Sequence, residues 1–189
     1  PRAAPARRAR LVTFSALSQE WQPGPDGMPF RRAARVLLFD DADRLLLVRG
    51  HDVHEPERSW WFTIGGGIAP GETAAEAAVR ELREETGIRL EPRELAGPVL
   101  TRSAIFDFRA RHVRQDEEIF LARTSQDAVL DTSGWEAAEL EFMDEVRWFH
   151  LDELAAVTIE VFPEGLVEIA RGLLDGWDGV TRDLGIGAG

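Results

Sequence analysis

Three glutamates, Glu81, Glu84 and Glu85, within the run Arg80-Glu81-Leu82-Arg83-Glu84-Glu85-Thr86-Gly87-Ile88, are the side chains best placed by type and spacing to do chemistry. On a helix turning about 100° per residue they share one arc roughly 100° wide, while Leu82, Ala75, Thr86 and Val79 group about 100° to 160° from Glu81. One side packs and the neighbouring side is acidic. Thr73 with Glu76 three residues on has the form of a capping box, and Gly87 suits a left-handed stop, so a helix is predicted over 74–86. The glutamates then lie in its last two turns, where the dipole is negative and like charges at i,i+3 and i,i+4 repel, each effect worth roughly a few tenths of a kcal/mol. Something positive must compensate. Arg80 can reach Glu84 and Glu76, and Arg83 lies beside the cluster, which would make a solvated, arginine-laced surface helix. The other compensator is a bound divalent cation.

The approach to the helix favours the cation. Phe62-Thr63-Ile64-Gly65-Gly66-Gly67 is followed by Ala69-Pro70-Gly71-Glu72, and consecutive glycines let backbone carbonyls come close to whatever the helix faces. Mg²⁺ takes octahedral oxygen ligands, usually one or two carboxylates with waters and substrate phosphates.

The segment from Gly66 to Ile88 matches every fixed position of the Nudix box, and on it the chain resembles the Nudix hydrolases. The resemblance implies a metal-dependent enzyme, using Mg²⁺ or Mn²⁺, that cleaves the diphosphate linkage of a nucleoside di- or triphosphate derivative. It further implies that Glu84 and Glu85 are metal ligands, that Glu81 is a ligand or orients the attacking water, and that the Gly65 carbonyl is another ligand. Glu72 and Arg80 correspond to a structural ion pair, and Gly66 and Gly87 to fixed backbone positions of the box. Just upstream, Thr63-Ile64 stands where Leu-Pro or Phe-Pro is frequent. Such enzymes commonly recruit another acid from outside the box. Here Asp116-Glu117-Glu118 competes with the stretch holding Glu139, Glu141, Asp144 and Glu145, and the order of preference is Glu145, then Glu118. A non-catalytic nucleotide-binding module on the same scaffold is the alternative, although it has no need of three glutamates in register. Substrate markers are sparse: the chain has no tyrosine, and Ser103 and Ala104 stand where an ADP-ribose-type proline would be. Nucleoside triphosphates, nucleotide sugars and dinucleotides all stay open.

Around these residues the chain supplies positioning elements. Runs over 33–39 and 44–49 flank Asp40-Asp41-Ala42-Asp43 and read as a hairpin; 60–64 reads as a strand entering the glycine loop. A second long hairpin is expected over 95–108 and 112–123, another strand at 146–149, and helices over 151–156 and 163–174. Interleaved strands and helices fit an α/β (α+β) fold, and the resemblance implies an α/β/α sandwich with a mixed β-sheet. Residues 1–27 read as an arm, partly disordered or adding an edge strand within 11–21, residues 28–178 as the Nudix domain, and 179–189 as a flexible tail. Met28 could be an internal start. Arg49 and Arg58 are candidates to contact phosphate through forked hydrogen bonds, and Trp61, among Trp60, Trp61 and Phe62, to stack a base. His51, His54, His112 and His150 show no metal-type helical spacing.

Composition narrows the partners. The 189 residues suit a single domain, no run reaches the roughly 18 apolar residues of a membrane span, and the absence of cysteine points to the cytoplasm and removes thiol chemistry. All 22 basic residues are arginine, which excludes a P-loop lysine or a Schiff base and suits a GC-rich bacterial genome. A net charge of −12 disfavours extended nucleic-acid binding, whereas a small nucleotide diphosphate can be neutralised locally. A homodimer is left open.

Overall fold

The computed structural model describes residues 21–24, 26–53, 55–108, 111–125, 127–137 and 139–188. The expected strand within 11–21, apart from Trp21, lies outside them, as does His54. Strands β1 (Gln22–Pro23), β2 (Pro29–Phe39), β3 (Leu45–His51) and β4 (Ser59–Gly67) precede helix α1 (Ala74–Thr86). Then come a 3-10 turn (Pro92–Glu94), β5 (Ala96–Phe108), β6 (Arg111–Arg123), β7 (Met143–Phe149), α2 (Leu151–Ala155), β8 (Glu160–Phe162), α3 (Leu166–Arg171) and β9 (Arg182–Ala188). No helix among the described residues is long and apolar enough to cross a membrane.

The strands form one mixed sheet in the order β7-β3-β4-β2-β6-β5-β9, with β1 on β2 and β8 on β4. Strand β2 lies parallel to β6, from Phe30 opposite Arg114 to Phe39 opposite Arg123. Its alternating side chains serve two faces. Ala34, Val36 and Leu38 join Leu46, Val48 and Ile64 under Ala77, Ala78 and Leu82 of α1, while Leu37 and Phe39 join Leu45, Leu47 and Trp61 under Leu151, Leu154, Leu166 and Ala170 of α2 and α3. The layers are helix, sheet, helix, as the resemblance implies.

Three expectations change. The runs at 33–39 and 44–49 do not pair as a hairpin beyond Phe39 opposite Leu45, because β4 enters between them, bonding β3 through Ser59 to Thr63 and β2 through Ile64 to Gly67. The turn itself is fixed by Asp40, whose Oδ1 accepts the Ala42 and Arg44 amides at 2.9 Å each. Residues 182–188, expected within a flexible tail, form β9, parallel to β5 from Leu100 opposite Arg182 to Ile105 opposite Ala188. An edge strand needs only backbone partners, so its glycines did not prevent it. Trp61 is 4% exposed and meets Phe149 edge to face at 4.6 Å, so it is core and no stacking platform.

Candidate functional site

Helix α1 begins where its capping box predicts: the Thr73 hydroxyl accepts the Glu76 amide, and the Glu76 carboxylate takes the Thr73 N–H at 2.8 Å. It stops at Gly87 in the left-handed region, φ 75°. These local signals place Glu81 and Glu85 on the inner side of the last turns, beneath the glycine strand. Glu81 is 7% and Glu85 3% exposed. The approach is close, for a Cβ at Gly66 would stand 2.6 Å from the Glu81 carboxyl carbon and would push that carboxylate out of its present place. Gly65 donates its N–H to Glu85 Oε2 at 3.0 Å, and its carbonyl accepts Arg35 Nη1 at 3.2 Å.

Arg80 ties loop to helix, donating to Glu72 Oε1 at 2.9 Å, Glu81 Oε1 at 2.7 Å, Glu84 Oε2 at 3.1 Å and the Gly67 carbonyl at 2.9 Å. Glu72 also accepts the Ala69 amide at 3.0 Å. These contacts lower the Glu72 carboxyl, first through the Arg80 hydrogen bond.

A third carboxylate arrives from the far side. Glu81, Glu85 and Glu139 each offer an oxygen, all within 4.8 Å of one another. The segment carrying Glu139 is fastened over the end of α1: Asp131 N–H donates to the Thr86 carbonyl at 2.8 Å and Trp135 Nε1 to the Glu85 carbonyl at 2.9 Å. Gly134 sits so near that a Cβ would lie 2.3 Å from the Glu84 carbonyl. Crowding is energetically visible. Burial pushes the Glu81 carboxyl up to about 7 against the pull of Arg80. Burial and then the Glu81 charge push Glu85 well above the usual carboxylate range, and burial raises Glu139 as well.

The other expected residues lie elsewhere. Glu84 sits at the rim, paired with Arg80 and, at 3.6 Å, Arg83. Glu145 pairs with Arg49 at 3.3 Å and Glu118 with Arg32 at 2.5 Å, so each is already occupied and neither belongs to the converging group. Arg49 also meets Asp144, and Arg58 pairs with Glu160 at 3.2 Å. Glu139 was the least conspicuous member of its acidic stretch. What marks it out is its fold of the loop onto α1, for which the sequence signals are Gly134 and Trp135.

An all-oxygen set of buried carboxylates beside a glycine cradle, with too little positive charge among them, fits a hard divalent cation. The fold is a mixed sheet between helix layers with a carboxylate cluster at the end of one helix, and the comparisons specify its family. The model of the NUDIX domain matches residues 29–168, and the chain belongs to this family, the Nudix hydrolases. It is 28% identical over 151 residues to an RNA pyrophosphohydrolase of Erythrobacter litoralis, spanning 71% of this chain and 84% of that protein. A shorter match, 40% over 68 residues, is to the RNA pyrophosphohydrolase of Dinoroseobacter shibae and spans 36% of this chain and 41% of that one. Among solved structures, the MutT NUDIX hydrolase of Burkholderia pseudomallei aligns at TM-score 0.51 and 22% identity, covering 77% of this chain and 98% of its own, which shows the shared fold.

Proposed function

We propose that the chain is a divalent-metal-dependent pyrophosphohydrolase, cleaving the diphosphate linkage of a nucleoside triphosphate, nucleotide sugar or dinucleotide by in-line attack of water on phosphorus. The observation that carries this reading is the convergence of Glu81, Glu85 and Glu139, two of them almost fully buried, within 4.8 Å. These three would hold Mg²⁺ or Mn²⁺, with Glu84 reaching in from the rim, whereas the Gly65 carbonyl, expected as a further ligand, is engaged by Arg35 instead. The ion, when bound, neutralises developing charge on the diphosphate and makes water a better nucleophile. Glu139, the least buried of the three, would take the proton of the attacking water if Glu81 and Glu85 hold the ion and leave its carboxylate free. Arg80 limits repulsion at the helix end without quenching it, because Glu85 has no arginine bonded to it among the described contacts. Arg49 and Arg58 would meet the outer part of a phosphorylated substrate by exchanging their present partners, Asp144 and Glu145 for one and Glu160 for the other, for phosphate oxygens.

A second reading comes from the relatives named RNA pyrophosphohydrolase: the substrate would be the triphosphate end of an RNA. The charge of −12 opposes a long RNA footprint and leaves only the terminal nucleotides as contacts. Purified protein is incubated with Mg²⁺ or Mn²⁺ and nucleoside triphosphates, nucleotide sugars, dinucleotides, or a 5′-triphosphate oligoribonucleotide, and phosphate and monophosphate release is measured. Preference for free nucleotides supports the first reading and preference for the oligonucleotide the second. Cleavage of none, with no Mn²⁺ uptake, overturns both and leaves the non-catalytic binding module.

A further inference from the structure

Behind the glycine strand lies a charged group that the reaction does not touch. Arg35 of β2 donates Nε to Glu117 Oε1 at 2.6 Å and Nη1 to the carbonyls of Thr63 at 2.8 Å and Gly65 at 3.2 Å. Glu117 of β6, 2% exposed, also takes Arg102 Nε on Oε2 and Gln115 Nε2 on Oε1, each at 2.5 Å. Gln115 Oε1 in turn accepts Arg31 Nε at 2.5 Å. Burial alone would raise the Glu117 carboxyl, yet the Arg35 and Arg102 guanidiniums hold it down at about 2, so it is ionised and locked between them.

Residue Gly65, through the two peptide units that meet at its Cα, is the link between this group and the carboxylates. Its N–H faces Glu85 Oε2 and its carbonyl faces Arg35. With φ at +137°, and a would-be Cβ 2.2 Å from the Ala34 carbonyl, the residue has a conformation that only glycine adopts readily, and something must hold that flexible unit in one orientation. One guanidinium bridging the carbonyls of Thr63 and Gly65 does so, and its planar fork is geometry that a lysine cannot reproduce. Stability does not explain the arrangement, since buried ionic triads can often be replaced by apolar side chains without loss.

We propose that Arg35 is a positioning residue for the hydrolytic site: locked by Glu117 and Arg102, it clamps the Thr63 and Gly65 carbonyls, in the peptide units on either side of the Ile64–Gly65 amide, so that the Gly65 N–H holds one oxygen of Glu85 and leaves the other for the cation. The inference rests on the hydrolase reading above.

The full chain is compared with Arg35→Lys and with the triple variant Arg35→Met/Glu117→Leu/Arg102→Met, which removes all three charges together. Thermal melting reports folding, amide hydrogen exchange reports the Gly65 N–H, EPR titration with Mn²⁺ alone reports ion affinity, and kcat and KM are measured on the best substrate. Arg35→Lys keeps a cation beside Glu117 and should melt close to the parent, yet exchange Gly65 faster. Mn²⁺ affinity and kcat should fall by about 10- to 100-fold, the usual cost of losing the support of a metal ligand, with KM within about threefold. The triple variant should do the same. Gly65 exchange or Mn²⁺ affinity at the parent value in either folded variant overturns the proposal, and so does an unchanged kcat. If the parent cleaves no diphosphate, the hydrolase reading fails, while the exchange and Mn²⁺ measurements still decide what Arg35 does.

Discussion

Glu85 and Glu117 are equally buried, at 3% and 2% exposure, and opposite in electrostatic character. Glu117 lies between two guanidiniums and an amide and ionises near 2. Glu85 has one backbone N–H and two acidic neighbours, and it is driven to hold its proton. A protein interior normally pairs its charges, and removing one partner of such a pair costs several kcal/mol. The Glu117 group is therefore complete by itself, while the Glu85 group, under the function proposed above, would be completed by a cation. That contrast separates a structural cluster of charge from a functional one more sharply than the number of acids does.

The largest effect should come from exchanging the two losses. Glu85→Gln should lower turnover by about 10³-fold, the scale of losing a group that serves developing charge, and should raise the melting temperature of the ion-free protein at neutral pH. Glu117→Leu should instead destabilise the fold by about 3–5 kcal/mol, because two arginines are left buried without their carboxylate. Calorimetry and a kinetic assay on both variants check this. Equal melting behaviour would erase the distinction between the two sites.

The pH dependence should carry opposite signs. A carboxyl raised from 4.5 to about 7 in the fold, as for Glu81, binds its proton more tightly than in the unfolded chain. Its contribution is present below 4.5 and lost as pH rises to about 7, a change on the order of 3 kcal/mol. Glu117, lowered from 4.5 to about 2, contributes stability above 4.5 that disappears as pH falls toward 2. Melting in chelator should thus decline from mildly acidic to neutral pH. Glu81→Gln or added Mg²⁺ should flatten that decline and leave the acid limb unchanged.

The smallest effect concerns the surface. Arg58 forms an exposed pair with Glu160, so Arg58→Ala should cost less than about 1 kcal/mol of stability in a melting experiment. A tenfold rise in KM in that variant would assign Arg58 to substrate phosphate, whereas an unchanged KM would leave it with Glu160.

Helix α1 could be read from the sequence to its terminal residues, because Thr73, Glu76 and Gly87 act within a turn of themselves. Helix periodicity gave the common arc of Glu81, Glu84 and Glu85 and the resemblance gave the Glu72–Arg80 tie, whereas the burial of Glu81 and Glu85 with Glu84 at the rim depends on how the sheet packs on the helix. Long-range placement was not readable. Glu139 reaches the site because Gly134 passes within contact of the Glu84 carbonyl and Trp135 bonds the Glu85 carbonyl, and although both residues stand close to it in the chain, neither says against which distant element the loop will fold. Alternation along β4 says that one of two adjacent tryptophans turns inward, but not which, and packing against Phe149 chooses Trp61. Arg35 looked like any other arginine in a strand until β6 supplied Glu117 beside it.

Strand β2 gains its parallel neighbour only after a long detour, since Arg35 and Glu117 are 82 residues apart. A polypeptide emerging from the ribosome can wind α1 from its own end signals well before β6 exists. The carboxylate-bearing helix is thus specified by neighbours in sequence, whereas Arg35 meets its carboxylate only once the chain has been made as far as Glu117. That parallel pairing closes a long loop, at an entropy cost that a tight hairpin avoids, and it ties the early and late halves of the chain together.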